Sequence, residues 1–306
     1  MKYSKKRINS IWYSPQVAAW VFLFPSLVSL MVFVFIPLLT AFLMSFFDVN
    51  IFLSSIKFSG FSNLKEIAED SRFWNSLKNT FQYTFLSVLI GTTFSLSMAL
   101  YVSKNSMFRK LLRFSFYAPV VCSMTAMGIV WSILLDPTIG MIAKWTQMIG
   151  LPKMEFLKNP DMAMPLVVFV SIWKTFGSAM IIFIAALHAI PNVYYEAAVI
   201  DGAGVWIQFR KITLPQILPV LGFNVITSTI AGLMVFDQTY VMTRGGPLFR
   251  TETIVQYLYS RAFSISPFRL GYASSIAMIL FFIIAIISVI LYRSFLKNEN
   301  RVSGNE

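Results

Sequence analysis

The chain has 306 residues, of which 57% are hydrophobic, 16% aromatic and only 12% charged, with a formal net charge of +12. A soluble domain of this length would carry roughly 25% charged residues, so the composition excludes an ordinary soluble globular protein. The basic excess forms no aromatic-studded patch, which leaves no reason to expect nucleic acid as a partner.

The charges are confined to separate stretches. None occurs from Ile8 to Phe47, Asn79 to Ser103, Phe114 to Leu135, Ile212 to Phe236 or Leu270 to Tyr292. A further apolar run, Met162 to Tyr195, is interrupted only by Lys174 and the lone His188. Each run exceeds the ~20 helical residues that cross a bilayer core. They predict a single all-α integral membrane domain over residues 1–306, with six transmembrane helices near 17–47, 78–103, 111–135, 164–190, 217–242 and 270–294.

Lys2, Lys5, Lys6 and Arg7 before the first run resemble a signal-peptide n-region. The run is far longer than the ~7–15 residues of a secretory segment, so it is expected to remain as helix one. Pro25 and Pro37 inside it predict a kinked helix packed on neighbours that satisfy the freed carbonyls. In the second run, GTTFSLS after Ile90 supplies a glycine and small hydroxyls, the usual material of helix packing in membranes. The single cysteine, Cys122, falls in the third run, so no internal disulfide is possible. His188 is expected to be a packing or interfacial residue at the inner end of helix four. With one His and one Cys in apolar spans, neither a metal site nor a Cys–His nucleophile pair is expected. The polar residues after Leu296 are expected to fray.

Basic residues set orientation in the membrane. With both termini cytoplasmic, the inner segments carry thirteen Lys and Arg against eleven outside, in shorter stretches close to the span ends. The outer segments, near 48–77, 136–163 and 243–269, also hold eight of the 13 acids. The inner joins are then 104–110 and 191–216.

The second inner join carries EAAVIDGAG at 196–204. Pro191 suits a first helical turn. Tyr194 to Asp201 are expected to form two turns broken at Gly202 and Gly204, with Ala197, Ala198 and Asp201 near one face. A second short helix, VWIQFRKI, is expected to run to Leu214-Pro215 and there turn back into the membrane. Small residues on that face would let another backbone approach closely; the alternative is an amphipathic connector on the membrane surface.

The whole run YEAAVIDGAGVWIQFRKITLPQILP resembles the EAA loop of binding-protein-dependent ABC transporter permeases, through Glu196, Ala197, Ala198, Asp201, Gly202, Ala203, Phe209, Ile212, Leu214 and Pro215. FDQTYVMTRGGP with Thr243, Gly245, Gly246 and Pro247, RFWNSLKNTFQYT, and AFSISPFRLGYASSIAMIL resemble the carbohydrate-uptake branch, specifically its maltose-permease-like first subunit. The resemblance covers about residues 15–295 and implies the type I ABC importer permease fold. It implies that Glu196, Ala197, Ala198, Asp201, Gly202, Ala203 and Gly204 form a coupling helix docking on a cytoplasmic ATPase. Glu196 would either meet that ATPase or brace the loop internally.

The same resemblance implies a second permease subunit, two ATPase subunits carrying ATP and Mg²⁺, an external solute-binding protein, and a sugar or oligosaccharide as substrate. Its setting would be a bacterial cytoplasmic membrane. No G-x-x-x-x-G-K-[ST] loop occurs, so no cofactor and no ATP hydrolysis are expected in this chain. The alternative within transport is another solute, such as a polyol phosphate or peptide.

The segment SIWKTFGSAM matches the family stretch that contacts sugar, making Ser171, Trp173, Lys174, Thr175 and Ser178 candidates, with Ser228 in helix five. Gly232 and Val235 stand where the maltose-type pattern is polar, so the site differs from a maltose site. Trp173 could equally pack against a helix, and the hydroxyls could bond helix carbonyls. Lys174 lies ~15 Å into helix four at 1.5 Å per residue, a depth at which a charge faces a cavity or a partner. It would either pair with Asp237 or a polar group on another helix to brace the bundle, or face the sugar path and bind hydroxyls or a substrate carboxylate.

Overall fold

The computed structural model describes residues 15–52, 56–104, 106–150, 152 and 154–303. The basic tail before them, expected in the cytoplasm, and residues 304–306 lie outside the described residues. The chain divides into two compact units, one formed by Met1–Glu66 with Arg261–Met278 and one by Ile67–Ser260 with Ile279–Glu306.

In the first unit, α1 runs over Pro15–Leu30, a π-helical turn at Met31–Phe35, and Ile36–Met44. Pro37 has no N–H for the Phe33 carbonyl and its ring crowds that group. The widened turn immediately before it relieves the conflict, which is where the expected irregularity falls. The apolar side chains of α1 are exposed. Two short antiparallel strands follow, β1 (Phe47–Val49) and β2 (Ile56–Phe58), paired Phe47 to Phe58. This hairpin and an isolated bridge between Asn50 and Arg269 are the departures from helix toward β-structure among the described residues. Asn63, at the start of α2 (Ser62–Glu69), donates to the Ser45 and Phe47 carbonyls, each at 3.0 Å. Arg269 forks onto Glu66; those hydrogen bonds are the main reason its guanidinium pKa is raised.

In the second unit, α3 (Ser71–Val102) starts at Asp70, whose carboxylate accepts from the Arg72 N–H at 2.9 Å and so caps the helix. The next span was expected as one helix over 111–135. It is instead two, α4 (Met107–Val121) and α5 (Met124–Leu134), bent by 99°. Pro119 removes a ladder hydrogen bond near the end of α4, and Cys122 and Ser123 take extended backbone. After α6 (Met141–Met148), α7 (Ala163–His188) is the central helix, lying against α3 along its length.

Then come α8 (Asn192–Ile200) and α9, which begins at Val205–Gln208, passes a π-helical turn at Phe209–Thr213, and continues as Leu214–Leu233. The turn expected at Leu214-Pro215 does not occur. Pro215 sits in the first turn after the π-segment, where a missing N–H is tolerated, and the helix passes through. The span expected to reach 242 ends at Leu233 and resumes as α10 (Asp237–Thr243). α11 (Ile254–Tyr259) and α12 (Leu270–Ser303) complete the chain. α12 remains helical past Leu296, where fraying is expected. Five helices among the described residues are long and apolar enough to cross a membrane, or six if the bent α4–α5 pair counts as one span.

The core of this unit surrounds α7. Val167, Val168 and Val170 pack with Tyr83, Leu135 and Met242, and lower down Phe176, Met180 and Phe183 pack with Ala99 and Val102. Gly177 permits the closest approach: a Cβ there would lie 2.3 Å from the Phe116 carbonyl oxygen of α4. Arg72 donates to the buried Glu252 carboxylate at 2.8 and 2.7 Å. Asn79 donates to the Phe249 and Glu252 carbonyls at 2.7 and 3.0 Å. RFWNSLKNTF is thus the surface that holds the loop after TRGGP.

Candidate translocation cleft and coupling surface

Helices α3, α7 and α9 border a half-open cleft of about 340 Å³ that reaches Gln238 on α10. Its walls follow from helical spacing. Tyr83, Ser87, Gly91 and Ser95 recur every four residues along α3, and Ser171, Thr175 and Ser178 form a stripe on α7. Asn224, Thr227 and Ser228 complete the lining from α9. No charged side chain lines the cleft among the described residues.

A hydroxyl away from water needs an acceptor, and in a helix the nearest is the carbonyl one turn back. Thr175 donates to the Ser171 carbonyl and Ser178 to that of Thr175, each at 2.8 Å. Ser95 donates to the Gly91 carbonyl at 2.7 Å and Thr227 to that of Phe223 at 2.9 Å. Two bonds cross between helices: Tyr83 Oη to Ser171 Oγ at 2.8 Å, and Thr92 Oγ1 to Asn224 Oδ1 at 3.3 Å.

Four of the six residues singled out for the substrate path meet here: Ser171, Thr175, Ser178 and Ser228. Trp173 does not. It projects from another side of α7, packs edge-on against Trp131 at 5.4 Å between ring centroids, and lines a separate apolar cavity of about 320 Å³ with Phe94, Phe116 and Phe169. Lys174 is also turned away, reaching the Val120 carbonyl at 3.4 Å. That carbonyl belongs to the last turn of α4, which lacks intrahelical donors and attracts cations. Of the two bracing partners expected for Lys174, the structure has the polar group on another helix, exposed by the break in the third span, and not Asp237. Asp237 opens α10, where the helix dipole favours a carboxylate, and no ion pair joins it to Lys174 among the described residues. Its neighbour Gln238 is the one that faces the cleft.

Sequence reasoning missed Tyr83, Ser87, Asn224, Thr227 and Gln238, and read Gly91, Thr92 and Ser95 as packing. The four-residue repeat of small and hydroxylated side chains from Tyr83 to Ser95 was a usable signal. Gly232 gives α9 its approach to α3, since a Cβ there would lie 2.9 Å from Thr84 Cγ2.

At the EAA-like segment, α8 starts two residues earlier than expected, after Pro191 as N-cap, and ends at Ile200. Gly202 has φ +74°, its N–H donates to the Val199 carbonyl at 3.0 Å, and the Ala203 N–H donates to that of Ala198 at 2.8 Å. This is a Schellman end, and its left-handed position explains why a glycine stands at 202. Gly204 then caps the first turn of α9. Gln208 Nε2 holds the Ala203 carbonyl at 2.8 Å, and Tyr195 Oη meets Thr213 Oγ1 at 2.9 Å. The hinge is therefore tied to both helices.

Its outer face is apolar and bare: Ile200 is 85% exposed, Val205 84% and Trp206 71%. Nothing lies within 4 Å of a Cβ built at Gly202 or Gly204. Ala197 is exposed and Ala198 half-buried. The Glu196 and Asp201 carboxylates are exposed, with no hydrogen bond or ion pair from the described residues. Nearby, Arg113 donates to the Val102 and Ser103 carbonyls, each at 2.8 Å, and His188 Nε2 meets Ser103 O at 2.9 Å. Both satisfy the otherwise open end of α3.

Membrane-length helices around a polar, uncharged cleft, with a bare apolar hinge between two of them, define a polytopic membrane transport protein. Residues 91–301 match the family of binding-protein-dependent transport system inner membrane components. The chain belongs to that family, and is thus the membrane-embedded permease of an ABC importer. It is 33% identical to the probable ABC transporter permease protein YesP of Bacillus subtilis (strain 168), over 91% of this chain and 90% of that one. It is 32% identical to a probable starch degradation products transport system permease protein, AmyD of Thermoanaerobacterium thermosulfurigenes, over 92% and 93%. To the lactose transport system permease protein LacF of Rhizobium radiobacter it is 31% identical, over 90% and 93%. In fold it is similar to a chain of a bacterial ABC transporter involved in the import of the acidic polysaccharide alginate, with TM-score 0.81, 22% identity, and coverage of 92% and 95%.

Proposed function

We propose that this permease forms half of an import path for a sugar or oligosaccharide, with the cleft between α3, α7 and α9 as its contribution. The observation that carries this reading is the lining: hydroxyl and amide groups at mid-depth of three spans, matched to a solute rich in hydroxyls. Relatives named for lactose and for starch degradation products support it.

The second half comes from another permease subunit, and the solute is delivered by an external binding protein. ATP and Mg²⁺ are bound and ATP is hydrolysed by two separate ATPase subunits. Both termini lie on the cytoplasmic side of a bacterial inner membrane. The coupling surface comprises Glu196, Ala197, Ala198, Asp201, Gly202, Ala203 and Gly204 with the apolar ring Ile200, Val205 and Trp206. Docked on an ATPase, it passes motion to α7 and α9, which flank the cleft, as rigid-body rocking that alternates access. The exposed, unpartnered Glu196 favours contact with the ATPase over an internal brace.

The test is co-expression. The chain purified alone is expected to turn over no ATP. With a second permease and the ATPase it should form a four-chain complex whose turnover rises when sugar-loaded binding protein is added. ATP turnover by the lone, contaminant-free chain, or uptake of peptides or polyol phosphates in place of saccharides, would overturn the reading.

A further inference from the structure

We infer that the cleft selects uncharged, hydroxyl-bearing solutes and rejects acidic ones, so that uronate-containing saccharides and phosphate esters are excluded by this chain. This rests on the assignment of the cleft as the solute path. It runs against what the sequence allows for Lys174, a cation placed at mid-membrane to meet a substrate carboxylate.

Two features of the geometry carry the inference. First, the two charged groups nearest the cleft in sequence, Lys174 and Asp237, are diverted from it. Lys174 points to the Val120 carbonyl at the α4–α5 break, and Asp237 leaves the lining position to Gln238. Second, the hydroxyl protons of Ser95, Thr175, Ser178 and Thr227 are committed to carbonyls of their own helices. Those oxygens therefore present lone pairs to the cleft.

The donors left for a solute are neutral: the amides of Asn224 and Gln238 and the hydroxyls of Ser171 and Ser228. An ionised carboxylate or phosphate accepts hydrogen bonds and donates none from its charged oxygens. Beside acceptor oxygens, with a few neutral donors and no cation, it would recover only part of the hydration it loses. A sugar hydroxyl both donates and accepts, and so suits the wall as it stands. Tyr83, with its hydroxyl donated to Ser171 Oγ, adds a ring edge and no charge.

Equilibrium binding to the detergent-solubilised four-chain complex, with the external binding protein left out, isolates the permease's own choice. The probes are neutral glucose oligosaccharides, the glucuronate oligosaccharides of equal length, glycerol phosphate, and uncharged polyols. Neutral saccharides are expected to bind at least ~tenfold more tightly than their acidic counterparts. Ser178→Lys, which places an ammonium in the wall, is expected to raise the acidic-to-neutral ratio by about tenfold. Thr175→Lys serves the same purpose should the first variant fail to assemble. Equal binding of glucuronate and glucose oligosaccharides by the unmodified complex would overturn the inference and leave the sugar reading standing. So would a lysine variant that still binds neutral sugar with an unchanged ratio. Binding of uncharged polyols with no binding of any saccharide would overturn the sugar reading and leave the charge rule intact.

Discussion

The cleft lies between α3, α7 and α9, the candidate coupling surface lies on α8 and the first turn of α9, and their chemistry is opposite. In the cleft, polar groups sit where lipid or protein would be expected, and most find a partner inside the chain: a carbonyl one turn back, Asn224 for Thr92, Ser171 for Tyr83. At the coupling surface, Ile200, Val205 and Trp206 stand in the open, and two carboxylates have no partner within the described residues. In one region most polar groups are satisfied within this chain as it folds. The other exposes a cluster of large apolar side chains beside the hinge, the kind of patch that marks a contact with a partner or a membrane.

The contrast can be broken most severely where the cleft is framed. Gly177→Leu forces a side chain into the 2.3 Å approach between α7 and the Phe116 carbonyl. It is expected to cost ~3 kcal/mol, the upper end of overpacking penalties, and to lower the thermal midpoint in detergent with loss of the four-chain complex. A normal midpoint would mean that α4 and α7 are not held at this distance.

The complementary test is at the other region. Trp206→Ser should leave the midpoint of the isolated permease unchanged, since that ring is 71% exposed. Association with the ATPase should weaken by ~2 kcal/mol, as for a buried aromatic anchor, read by titration binding. A shifted midpoint with normal association would reverse the contrast.

A smaller effect sharpens the account of Lys174. Lys174→Met should cost roughly 1 kcal/mol, the worth of a partly buried cation at a helix C-terminus. Adding Asp237→Asn should restore none of it. A thermodynamic cycle of the two substitutions with near-zero coupling is expected; strong coupling would return Asp237 as the partner.

The smallest effect lies outside both regions and serves as a baseline. The Asp136 carboxyl is held at about 2, below the ordinary 3.8, chiefly by the Thr138 hydroxyl and then by the Thr138 and Ile139 N–H groups. A depressed folded pKa stabilises the fold above the unfolded value, and the benefit fades as pH falls from about 4 toward 2. Asp136→Asn should lower the midpoint slightly at neutral pH, and the gap to the unmodified protein should close over that acid window.

Legibility from sequence followed the range of the interaction concerned. The stripe Ser171, Thr175 and Ser178 was readable because spacings of three and four fix a common face on any helix. The turn at Asp201–Gly202 was readable because only a residue free to take φ near +74° ends a helix in that way. The exposure of Ile200 and Trp206 was not readable, since apolar residues in a loop between spans look the same whether they rest on lipid or face a partner.

The sequence by itself determined that the chain crosses a membrane, roughly where it does so, and where the glycine hinge after α8 lies. These depend on local quantities: the length of an apolar run against bilayer thickness, and the backbone freedom of a glycine. Only the tertiary structure decided that the third span bends by 99°, that Lys174 turns to the carbonyl exposed by that bend, and that Thr92, Asn224 and Gln238 line the same cleft as Ser171. Each of those outcomes depends on which helix face meets which neighbour, and that is set by close approaches such as Gly177 on Phe116 between residues far apart in the chain.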